Sequence, residues 1–581
     1  ARELITEHLD LWTGAVTKKS SSGRGSNGKV ELTGVKKLRE LILELAVRGK
    51  LVDQYPNSNP AQGLLEQCRE AKQTAIDQGK LKKARKHAPI DSPDMPFNLP
   101  NSWSWARLDD LVRVINGRAY KKHEMLTEGA KATPLLRVGN LFTSNDWYYS
   151  DLELEEDKYI DSGDLIYAWS ASFGPFIWNG GRAIYHYHIW KLDFFDEAAI
   201  DKRFLYFYLQ AVTEEIKSSG SGIAMIHMTK AKMEELVTPV PPLEEQHRIV
   251  QKVDELMALC DRLEQQTSDQ LEAHETLVDT LLGTLTQSEN ATELADNWAR
   301  LAAHFGTLFT TEQSIDKLKQ TILQLAVMGR LVEQDAGDES AESLLNRLTE
   351  NRQAWLQEQS SSNPECKTML RKLGKLRPAQ SPFPMPKGWC PAHLIQLCRM
   401  LVDCHNKTAP YAEEGIPIIR TSNIRERRFN FKEMKYVDED TYTYWSRRCP
   451  PEPEDIIFTR EAPMGEAAII PEGKTWCLGQ RTMLIRPMHE YISNQFLLLT
   501  LTEPHLLERA AEKAIGSTVK HLRVGDVENL VVPVPPIEEQ HRIVQKVDEL
   551  MALCNQLKEH LSQAGETRCQ LAETIVQQAL S

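Results

Sequence analysis

The tract EEQHRIVQKVDELMALC occupies residues Glu244–Cys260 and returns without a change at Glu538–Cys554. Each copy follows a proline-rich segment, LVTPVPP at Leu236–Pro242 and LVVPVPP at Leu530–Pro536. The residues between the two copies are far less alike, although a recent duplication alone would have left them nearly as similar as the tracts. We call the repeated segments the frames and the dissimilar segments between them the inserts. Two matching frames with two dissimilar inserts indicate one common partner and two different targets.

The repeated tract has the signals of a helix start. Proline pairs precede it, and the acidic pairs Glu244-Glu245 and Glu538-Glu539 suit a first helical turn. Downstream, apolar residues keep a spacing of three and four, which predicts a coiled-coil seam in each long helix. Roughly 40 residues of such a helix span about 60 Å. The predicted seam residues are Ile249, Val253, Leu256, Cys260 and Leu263, with Leu277 and Leu281 after a polar interval, and Ile543, Val547, Leu550, Cys554, Leu557, Leu561, Ala564, Leu571 and Ile575.

The duplication extends upstream of the identical tract. LAVRGKLV at Leu45–Val52 returns as LAVMGRLV at Leu325–Val332, 280 residues later. The offset reaches 294 by Gly222 and Gly516, so the insertions lie in the dissimilar part. That part consists of short apolar runs broken by Gly, Pro, Asn and Asp, which predicts an α+β domain in each copy.

Composition is typical of a globular protein with several domains. Of 581 residues, 41% are apolar and 26% are charged, and no apolar run reaches the ~18 residues of a membrane helix. The acidic, amphipathic start is unlike a secretory leader and the ten cysteines are dispersed, so we expect a cytoplasmic protein with reduced thiols. The net charge of −13 argues against a polyanionic partner, but Ile416–Lys435 holds six Lys/Arg against two Glu, and a local basic face can bind DNA.

The sequence contains no recognisable catalytic or metal-binding motif. GRGSNGKV at Gly23–Val30 has the spacing of a phosphate-binding loop, but valine replaces the required Ser/Thr, so we interpret it as a linker. Cys398, Cys404 and His405 lack zinc-site spacing, and we interpret the two cysteines as buried thiols. The [DN]-P-P-[YF] motif of adenine methyltransferases is missing. We therefore predict neither catalysis nor a metal site.

These repeats resemble the specificity subunit of type I restriction–modification systems. The match is carried by the two P-x-P-P-[LI]-E-E-Q-x-R-I-V-x-K-V-D tracts, the L-A-x-x-G-[KR]-L-V segments and the variable domain before each long helix. It extends over nearly the whole chain from about Val30. The resemblance implies an α+β fold in which two α/β target-recognition domains are separated by a pair of long antiparallel coiled-coil helices, with an internal two-fold pseudo-repeat.

The implied domain boundaries follow the repeat. They are an N-terminal segment (1–30), a first scaffold helix with a basic linker (31–100), recognition domain 1 (101–240), long helix 1 (241–290), a central linker with the second scaffold helix (291–385), recognition domain 2 (386–534) and long helix 2 (535–581). Within the central linker, LADNWARLAAHF suggests a separate helix.

The resemblance implies a DNA-reading function without catalysis. Each recognition domain would read one half of a split, asymmetric site on double-stranded DNA, and the long helices would set the unread spacer. The chain would position two adenine-N6 methyltransferase subunits, which use S-adenosylmethionine, and recruit restriction subunits that use ATP and Mg²⁺. We expect no cofactor on this chain and no membrane contact. Two alternatives stay open: a coiled-coil adaptor whose variable domains bind protein, and a stand-alone DNA-modifying enzyme.

Base readout needs side chains that match base edges, mainly Arg for guanine and Asn or Gln for adenine. Such residues occur after strand-like runs at matched positions, in a second loop, and just before the long helices. The alternatives are a structural Arg–carboxylate pair, an Asn turn, surface drift and a solvated run of charge. The predicted DNA-binding residues are Arg137, Asn140, Trp169, Ser170, His227, Lys230, Arg420, Asn423, Arg425, Arg427, Arg428, Arg460, Lys520, His521 and Arg523.

The repeated helices would present two equivalent surfaces, which two copies of one methyltransferase subunit would occupy with approximate two-fold symmetry. The predicted docking residues are Glu245, Arg248 and Lys252 in the first tract and Glu539, Arg542 and Lys546 in the second.

Overall fold

The computed structural model describes residues 7–18, 30–55, 60–81, 87, 89–91, 95–127, 132–142, 144–170, 173–218, 228–405, 407–461, 463–512 and 521–580. The linker predicted at Gly23–Val30 lies outside these residues except for Val30. The chain divides into two compact units. The first unit comprises residues 1–271 and 563–581, and the second unit comprises residues 272–562.

The first unit contains a helical scaffold followed by a mixed recognition part and the start of a long helix. The scaffold elements are α1 (Leu9–Gly14), β1 (Thr17–Lys18), β2 (Val30–Glu31), α2 (Thr33–Val47) and α3 (Gln62–Asp77). The recognition part consists of β3 (Ser104–Arg107), α4 (Leu108–Leu111), β4 (Val112–Asn116), β5 (Thr133–Leu136), α5 (Val138–Phe142), β6 (Tyr148–Ser150), β7 (Tyr159–Ile160), β8 (Leu165–Ala168), β9 (Gly174–Ile177), β10 (Ala183–Tyr185), β11 (Ile189–Phe194), α6 (Lys202–Ser218), α7 (Lys230–Glu234) and β12 (Val237–Val240). The long helix α8 (Leu243–Gln287) follows and continues into the second unit.

The second unit repeats this order after a central linker. The linker and scaffold contain α9 (Ala291–Ala303), α10 (Phe305–Leu308), α11 (Glu312–Val327), α12 (Ala341–Gln359) and α13 (Pro364–Leu373). Helix α9 confirms the separate helix suggested by LADNWARLAAHF. The recognition part and second long helix consist of β13 (Cys390–His393), α14 (Leu394–Leu397), β14 (Cys398–Asp403), β15 (Ile416–Ile419), β16 (Ile424–Arg425), β17 (Arg428–Phe429), β18 (Lys435–Val437), α15 (Glu439–Ser446), β19 (Ile456–Thr459), β20 (Ala467–Ile469), β21 (Cys477–Leu478), β22 (Thr482–Pro487), α16 (Asn494–Leu501), α17 (Pro504–Glu512), α18 (Val524–Glu528), β23 (Val531–Val534) and α19 (Ile537–Leu580).

Each recognition part is built on two small sheets. In the first unit the strand orders are β4-β11-β8-β9 and β6-β5-β10-β7, and in the second unit they are β14-β22-β19-β20 and β18-β15-β21. Strand β8 is buried along its length because it lies between β11 and β9, and β19 is buried in the same way between β22 and β20. A further strand pair, β12 with β3 or β23 with β13, closes each part at the start of the long helix.

Within the first unit, α2 and the segment after it contact the start of α8 and the end of α19. Successive contacts along α2 move forward along α19 and backward along α8, so the two long helices run antiparallel here. The contacts join Lys37 Nζ to Glu573 Oε1 at 3.7 Å, Lys50 Nζ to the Leu580 carbonyl oxygen at 3.0 Å, Arg39 Nη2 to Asp261 Oδ1 at 2.7 Å and Gln54 Nε2 to Glu245 Oε1 at 2.5 Å.

The second unit reproduces these contacts with the long helices exchanged. Residues of α2 correspond to residues of α11 at an offset of 280, and α8 corresponds to α19 at 294. The matched contacts join Lys317 Nζ to Asp279 Oδ2 at 2.5 Å, Arg330 Nη1 to the Thr286 carbonyl oxygen at 3.0 Å, Lys319 Nζ to Asn555 Oδ1 at 2.6 Å and the side chains of Gln334 and Glu539. The predicted α+β fold, internal repeat and antiparallel long helices are thereby confirmed.

The predicted seam is correct in the first half of each long helix and shifted by one residue in the second half. Ile249 and Ile543 are completely buried. Leu277 and Leu571, however, are 49% and 50% exposed, and their neighbours Val278 and Ala572 are buried instead. A straight α-helix drifts by about 20° per heptad from a strict 3.5-residue repeat. Over four heptads this drift approaches the 100° between adjacent residues, which accounts for the shift.

Three further observations concern membrane-spanning helices, cysteines and metal-binding groups. None of the described helices is long and apolar enough to cross a bilayer. The ten cysteines are unpaired, and Cys398 and Cys404 are buried, as interpreted from the sequence. In the part of the chain that the structure describes, no three His, Cys, Asp or Glu residues are grouped for metal binding.

Candidate nucleic-acid interface

A buried glutamine ties each recognition part to its long helix. The Gln246 Oε1 atom accepts the Asp201 backbone N–H at 2.7 Å, and its Nε2 donates to the Pro241 carbonyl oxygen at 2.9 Å. In the second unit, Gln540 accepts the Ser493 N–H at 2.8 Å and donates to the Pro535 carbonyl oxygen at 3.0 Å. Both side chains are fully buried, so these bonds hold the recognition part and the helix start together.

The ends of several strands converge at one edge of each recognition part. In the first unit, antiparallel pairing places the end of β4, the end of β8 and the start of β11 side by side, with Asn116 opposite Trp190 and Ala168 opposite Ile189. Strand β10 runs parallel to β5, so Arg137 leaves the sheet next to the turn that joins β10 to β11. A Cβ atom on Gly117 would lie 2.3 Å from the His186 carbonyl oxygen, so glycine is required for this close approach.

An aromatic stack supports the turn 186–188 of the first unit. The Trp169 ring lies 5.7 Å from Trp190 at an angle of 21°, and Trp190 lies 6.1 Å from buried Tyr167 at 18°. At the outer end, Trp169 contacts the rings of Tyr187 and His188 at 6.0 and 5.0 Å, and its Nε1 donates to the Tyr187 carbonyl oxygen at 2.9 Å. Tyr187 is 39% exposed, so the stack presents a ring that is fixed from behind.

The two histidines of this turn are held in their neutral form. Burial lowers the pKa of His186 to about 4, and the neighbouring His188 and Arg137 lower it further. Burial also lowers the pKa of His188. Near pH 7 the turn therefore presents aromatic and neutral polar groups rather than cations.

The second unit presents charged and amide groups at the corresponding edge. The Arg481 Nε lies 2.8 Å from Glu461 Oε1, while nearly half of the Arg481 side chain is exposed. The Gln480 Oε1 accepts the Thr408 hydroxyl at 3.1 Å. Arg460 Nη1 donates to the Leu522 carbonyl oxygen at 3.3 Å. These side chains have the donors that read guanine and adenine edges.

Backbone hydrogen bonds establish that the two turns are equivalent. The Trp169 N–H donates to the His188 carbonyl oxygen at 3.1 Å, as the Arg460 N–H does to Arg481 at 3.0 Å. The His186 N–H donates to the Leu136 carbonyl oxygen at 2.9 Å, and the Gly479 N–H donates to that of Ile419 at 2.7 Å. Trp169 therefore corresponds to Arg460, Tyr187 to Gln480 and His188 to Arg481.

The structure gives Asn140 and Asn423 a role in local folding. Asn140 accepts the Arg137 N–H at 3.2 Å and donates to the Asp146 carbonyl oxygen at 2.9 Å. Asn423, which is 1% exposed, accepts the Arg420 N–H at 3.2 Å and donates to the Asn430 carbonyl oxygen at 3.0 Å. Both amides thus bond the backbone, as in the Asn turn named as the alternative. Burial leaves Asn423 no surface for a base, whereas base contact by the partly exposed Asn140 stays a prediction.

The arginines beside these two asparagines are also engaged locally. The Arg137 guanidinium lies 4.3 Å from the centre of the Tyr148 ring and donates to the Asp146 carbonyl oxygen at 3.0 Å. Arg420 donates to the Glu433 carbonyl oxygen at 2.6 Å. Both remain partly exposed at the edge, and their contact with DNA stays a prediction.

The predicted phosphate-binding cluster forms a tight hairpin in which one arginine turns away. Strands β16 and β17 pair Arg425 with Arg428, and the two-residue turn has positive φ at Glu426 and Arg427, 50° and 64°. Arg425 and Arg428 are exposed. Arg427 instead borders a cleft of about 1080 Å³ formed with α11 and α19, where burial lowers its pKa and Asp548 opposes that shift. Phosphate binding by Arg427, which is partly exposed in this cleft, stays a prediction.

The third predicted segment is described only in part. His227 and Lys520 lie outside the described residues. Lys230 pairs with Glu234 at 3.3 Å. In the second unit, Leu522 N–H donates to the Arg460 carbonyl oxygen at 3.0 Å. Because His521 and Arg523 flank Leu522, the structure brings them to the same edge as Arg460. Ser170 lies at the corresponding edge of the first unit, next to Trp169.

The predicted docking residues divide into buried and exposed groups. Glu245 and Glu539 are 0% and 2% exposed, and the Trp389 Nε1 donates to Glu539 Oε2 at 3.0 Å. Burial raises the pKa of both carboxyl groups, while the hydrogen bonds from Gln54 to Glu245 and from Trp389 to Glu539 oppose the shift. These carboxylates anchor the helix starts and offer no side-chain surface to a partner, which corrects their predicted role.

The basic docking residues remain partly accessible. Arg248 lies 4.0 Å from the centre of the Tyr55 ring, and Arg542 pairs with Asp338 at 2.6 Å. Lys252 and Lys546 pair with the acidic residue three positions later, at 2.8 and 3.0 Å. The exposed face of the identical tract is a stripe that sequence reasoning did not single out: Glu244, His247, Gln251 and Glu255, with Glu538, His541, Gln545 and Glu549.

Sequence reasoning also missed the turn residues His186, Tyr187, His188, Gln480 and Arg481. An available signal was the run YHYHIW at Tyr185–Trp190, in which tyrosine and histidine alternate just before a strand. The basic run GRAYKKH was a second signal. Arg118 forms a backbone β-bridge with His186, and the exposed residues Lys121 and Lys122 follow Arg118 in the chain. Their cations are suited to contact phosphate near the turn.

Comparison with known proteins identifies the relatives of this chain. The family model described as type I restriction modification DNA specificity domain matches residues 100–273 and 402–564. The EcoAI specificity subunit of Escherichia coli is 34% identical over the whole chain and 99% of its own length, and the EcoEI subunit of the same organism is 30% identical with the same coverage. The crystal structure of an HsdS subunit from Thermoanaerobacter tengcongensis covers 84% of this chain and 98% of its own, at 18% identity and a TM-score of 0.39.

Proposed function

The chain belongs to the family of type I restriction–modification specificity subunits, and from this premise we propose that its two units read the two halves of one split, asymmetric DNA site. As a specificity subunit, the chain is not itself catalytic. In our proposal, duplex DNA contacts the strand-end edge of each recognition part, and exposed cations around that edge contact phosphates.

One observation carries the proposal. The contacts between the scaffold and the long helices are matched position for position in the two units, whereas the side chains at the matched turns differ. Trp169, Tyr187 and His188 stand where the second unit has Arg460, Gln480 and Arg481. Equivalent turns with unlike reading groups are what two different half-sites require, and this supports a non-palindromic target.

The exposed stripes of the identical tracts are the proposed docking surfaces for two methyltransferase subunits. Packing constrains Ile249 and Ile543 to be apolar, but it does not constrain exposed residues such as His247 and His541 to be identical. Identical exposed residues in both tracts support two copies of one partner, with approximate two-fold symmetry. Lys252 and Lys546 border these stripes and stay predicted contacts.

The remaining parts of the assembly are proposed from the family resemblance. The methyltransferase subunits would use S-adenosylmethionine, and the restriction subunits would use ATP and Mg²⁺, with no cofactor held by this chain. The long helices would set the unread spacer, because about four inserted residues lengthen a helix by about 6 Å. Insertion of four residues after Cys260 would then change the accepted spacer.

Genome-wide mapping of methylated adenine tests the proposal in cells that express this chain with its methyltransferase. We expect one split, asymmetric motif with an adenine in each half. A single uninterrupted palindrome, or no methylation at all, would contradict the proposal. Salt-sensitive binding of the reconstituted complex to duplex DNA separates it from the protein-binding adaptor, which would not bind DNA.

A further inference from the structure

We propose that the matched turns use different chemistry to read their half-sites: Arg481 reads a guanine, and the Tyr187 ring packs against the methyl group of a thymine. This inference rests on the proposed function and specifies which residues of each edge meet the bases. It assigns one half-site a charged hydrogen-bonding contact and the other an apolar contact.

The second unit holds the exposed side chain of Arg481 through one ion pair. The contact between Nε and Glu461 fixes the guanidinium plane from behind, at 2.8 Å. Among the described residues, none engages the two terminal nitrogens of Arg481. They form a fork that matches the O6 and N7 acceptors of guanine in the major groove. Gln480 beside it is held by Thr408 through Oε1, which leaves its amide N–H groups for an acceptor on the DNA.

The first unit carries no cation at the equivalent positions. Tyr187 is held by the Trp169 hydrogen bond to its carbonyl oxygen, and its ring lies 3.9 Å from that of His188. The stack continues through Trp169 and Trp190 to Tyr167, whose hydroxyl lies 3.0 Å from the Thr213 hydroxyl in the core. A ring fixed in this way contacts DNA without losing side-chain freedom on binding, and thymine is the base that offers a methyl group in the major groove.

Matched variants test the assignment through the methylation motif. Tyr187→Ala should relax base preference only in the half-site read by the first unit, and Arg481→Ala should relax it only in the other half. Tyr187→Phe keeps the ring and should keep the motif. Trp298→Ala removes an exposed ring on the central linker helix and serves as the matched control, with no change in either half.

Base analogues test the contacts without changing the protein. Once the motif is known, duplexes are prepared with each thymine replaced by uracil or each guanine replaced by 7-deazaguanine, and affinity for the reconstituted complex is measured. We expect one uracil in the first half to weaken binding about fourfold, since it removes one buried methyl group. One 7-deazaguanine in the second half should weaken it about tenfold or more.

If the contacts are as proposed, each variant should be insensitive to the base analogue that removes the same contact. Tyr187→Ala should bind the uracil duplex and the thymine duplex equally, and Arg481→Ala should be insensitive to 7-deazaguanine. The inference is overturned if Tyr187→Ala and Arg481→Ala leave the base preference of both half-sites unchanged. It is also overturned if the base analogues weaken binding to the variants as much as binding to the unaltered chain. Absence of any split motif with the unaltered chain would instead contradict the proposed function.

Discussion

The turn between β10 and β11 presents rings, whereas the turn between β21 and β22 presents an amide and a guanidinium at the equivalent positions. Both turns are fixed by a pair of matched backbone hydrogen bonds. Strands β10 and β21, which lead into these turns, are buried, so packing determines where the chain turns in each unit. The side chains at the tips are free of that constraint and have diverged.

Exposure alone does not explain this divergence. The outer face of the repeated tract is also exposed, yet His247 and His541, or Gln251 and Gln545, are identical in the two copies. Drift of unconstrained surface residues would have affected the helices and the turns alike. The contrast supports different functional constraints on the two surfaces. The helix stripes are identical because they bind the same partner, and the turns differ because they read two different half-sites.

The largest effects are expected where the two frames are most alike. Ile249→Ala and Ile543→Ala each remove a completely buried side chain from the seam, and each should lower the free energy of unfolding by about 2–5 kcal/mol. Because the surroundings match, the two losses should agree within about 1 kcal/mol. Denaturant unfolding followed by circular dichroism measures both.

The exposed leucines of the shifted seam provide the control. Leu277→Ala and Leu571→Ala should each cost less than about 1 kcal/mol, since these side chains are half exposed. A loss of about 3 kcal/mol at either leucine, or clearly unequal losses at the two isoleucines, would show that the frames are not equivalent.

A smaller and unequal effect is expected at the matched edge positions. Trp169→Ala removes the ring that joins Tyr187 to Trp190, and we expect a loss of about 2–3 kcal/mol in the free energy of unfolding. Arg460→Ala removes one hydrogen bond at the corresponding position and should cost about 1 kcal/mol. Thermal and denaturant unfolding compare the two, with Trp169→Phe as the ring-preserving control. Equal losses would contradict the difference in support between the turns.

The frames could be predicted from sequence because their pattern repeats and is periodic. Identical tracts defined the long helices, and the spacing of Ile249, Val253 and Leu256 located the start of the seam. The register at Leu277 and Leu571 could not be predicted in this way. It depends on the accumulated drift of a straight helix, which a fixed heptad frame does not contain.

The candidate site was less predictable for a different physical reason. An asparagine after a strand has the same sequence appearance whether its amide faces a base or its own backbone, and Asn140 and Asn423 face the backbone. The turn at His186–His188 reaches Arg137 only because β10 pairs in parallel with β5, a contact between distant residues. Trp169 and Arg460 were predicted because they belong to a loop whose residues differ between the two units, and each directly follows a buried strand.

The salt dependence of DNA binding should separate cationic from aromatic contacts. Arg428→Ala removes an exposed cation from the β16–β17 hairpin of the second unit and should reduce the slope of log affinity against log salt by about 0.9. Tyr187→Ala should weaken specific binding but leave that slope unchanged. Titration of the reconstituted complex with duplex DNA between about 50 and 200 mM salt measures both slopes. A change of slope for Tyr187→Ala would mean that the first turn acts through phosphate.

The smallest expected effect is the pH response of the first unit. Folding lowers the pKa of His186 from 6.5 to about 4, mainly by burial, so the folded state disfavours the charged ring. The stability that depends on neutral His186 is fully present above pH 6.5 and is lost as the pH falls through about 4. Between pH 8 and 7 the unfolding midpoint should therefore not respond to this residue. Below pH 6.5 the unaltered chain should lose more stability than His186→Gln, because glutamine occupies the turn without titrating. Gly479 stands at the matched position of the second unit, which has no such ring. If the stability of the unaltered chain and that of His186→Gln change equally with pH, the turn tolerates a charged ring. The proposed difference between a neutral edge in the first unit and a charged edge in the second would then be wrong.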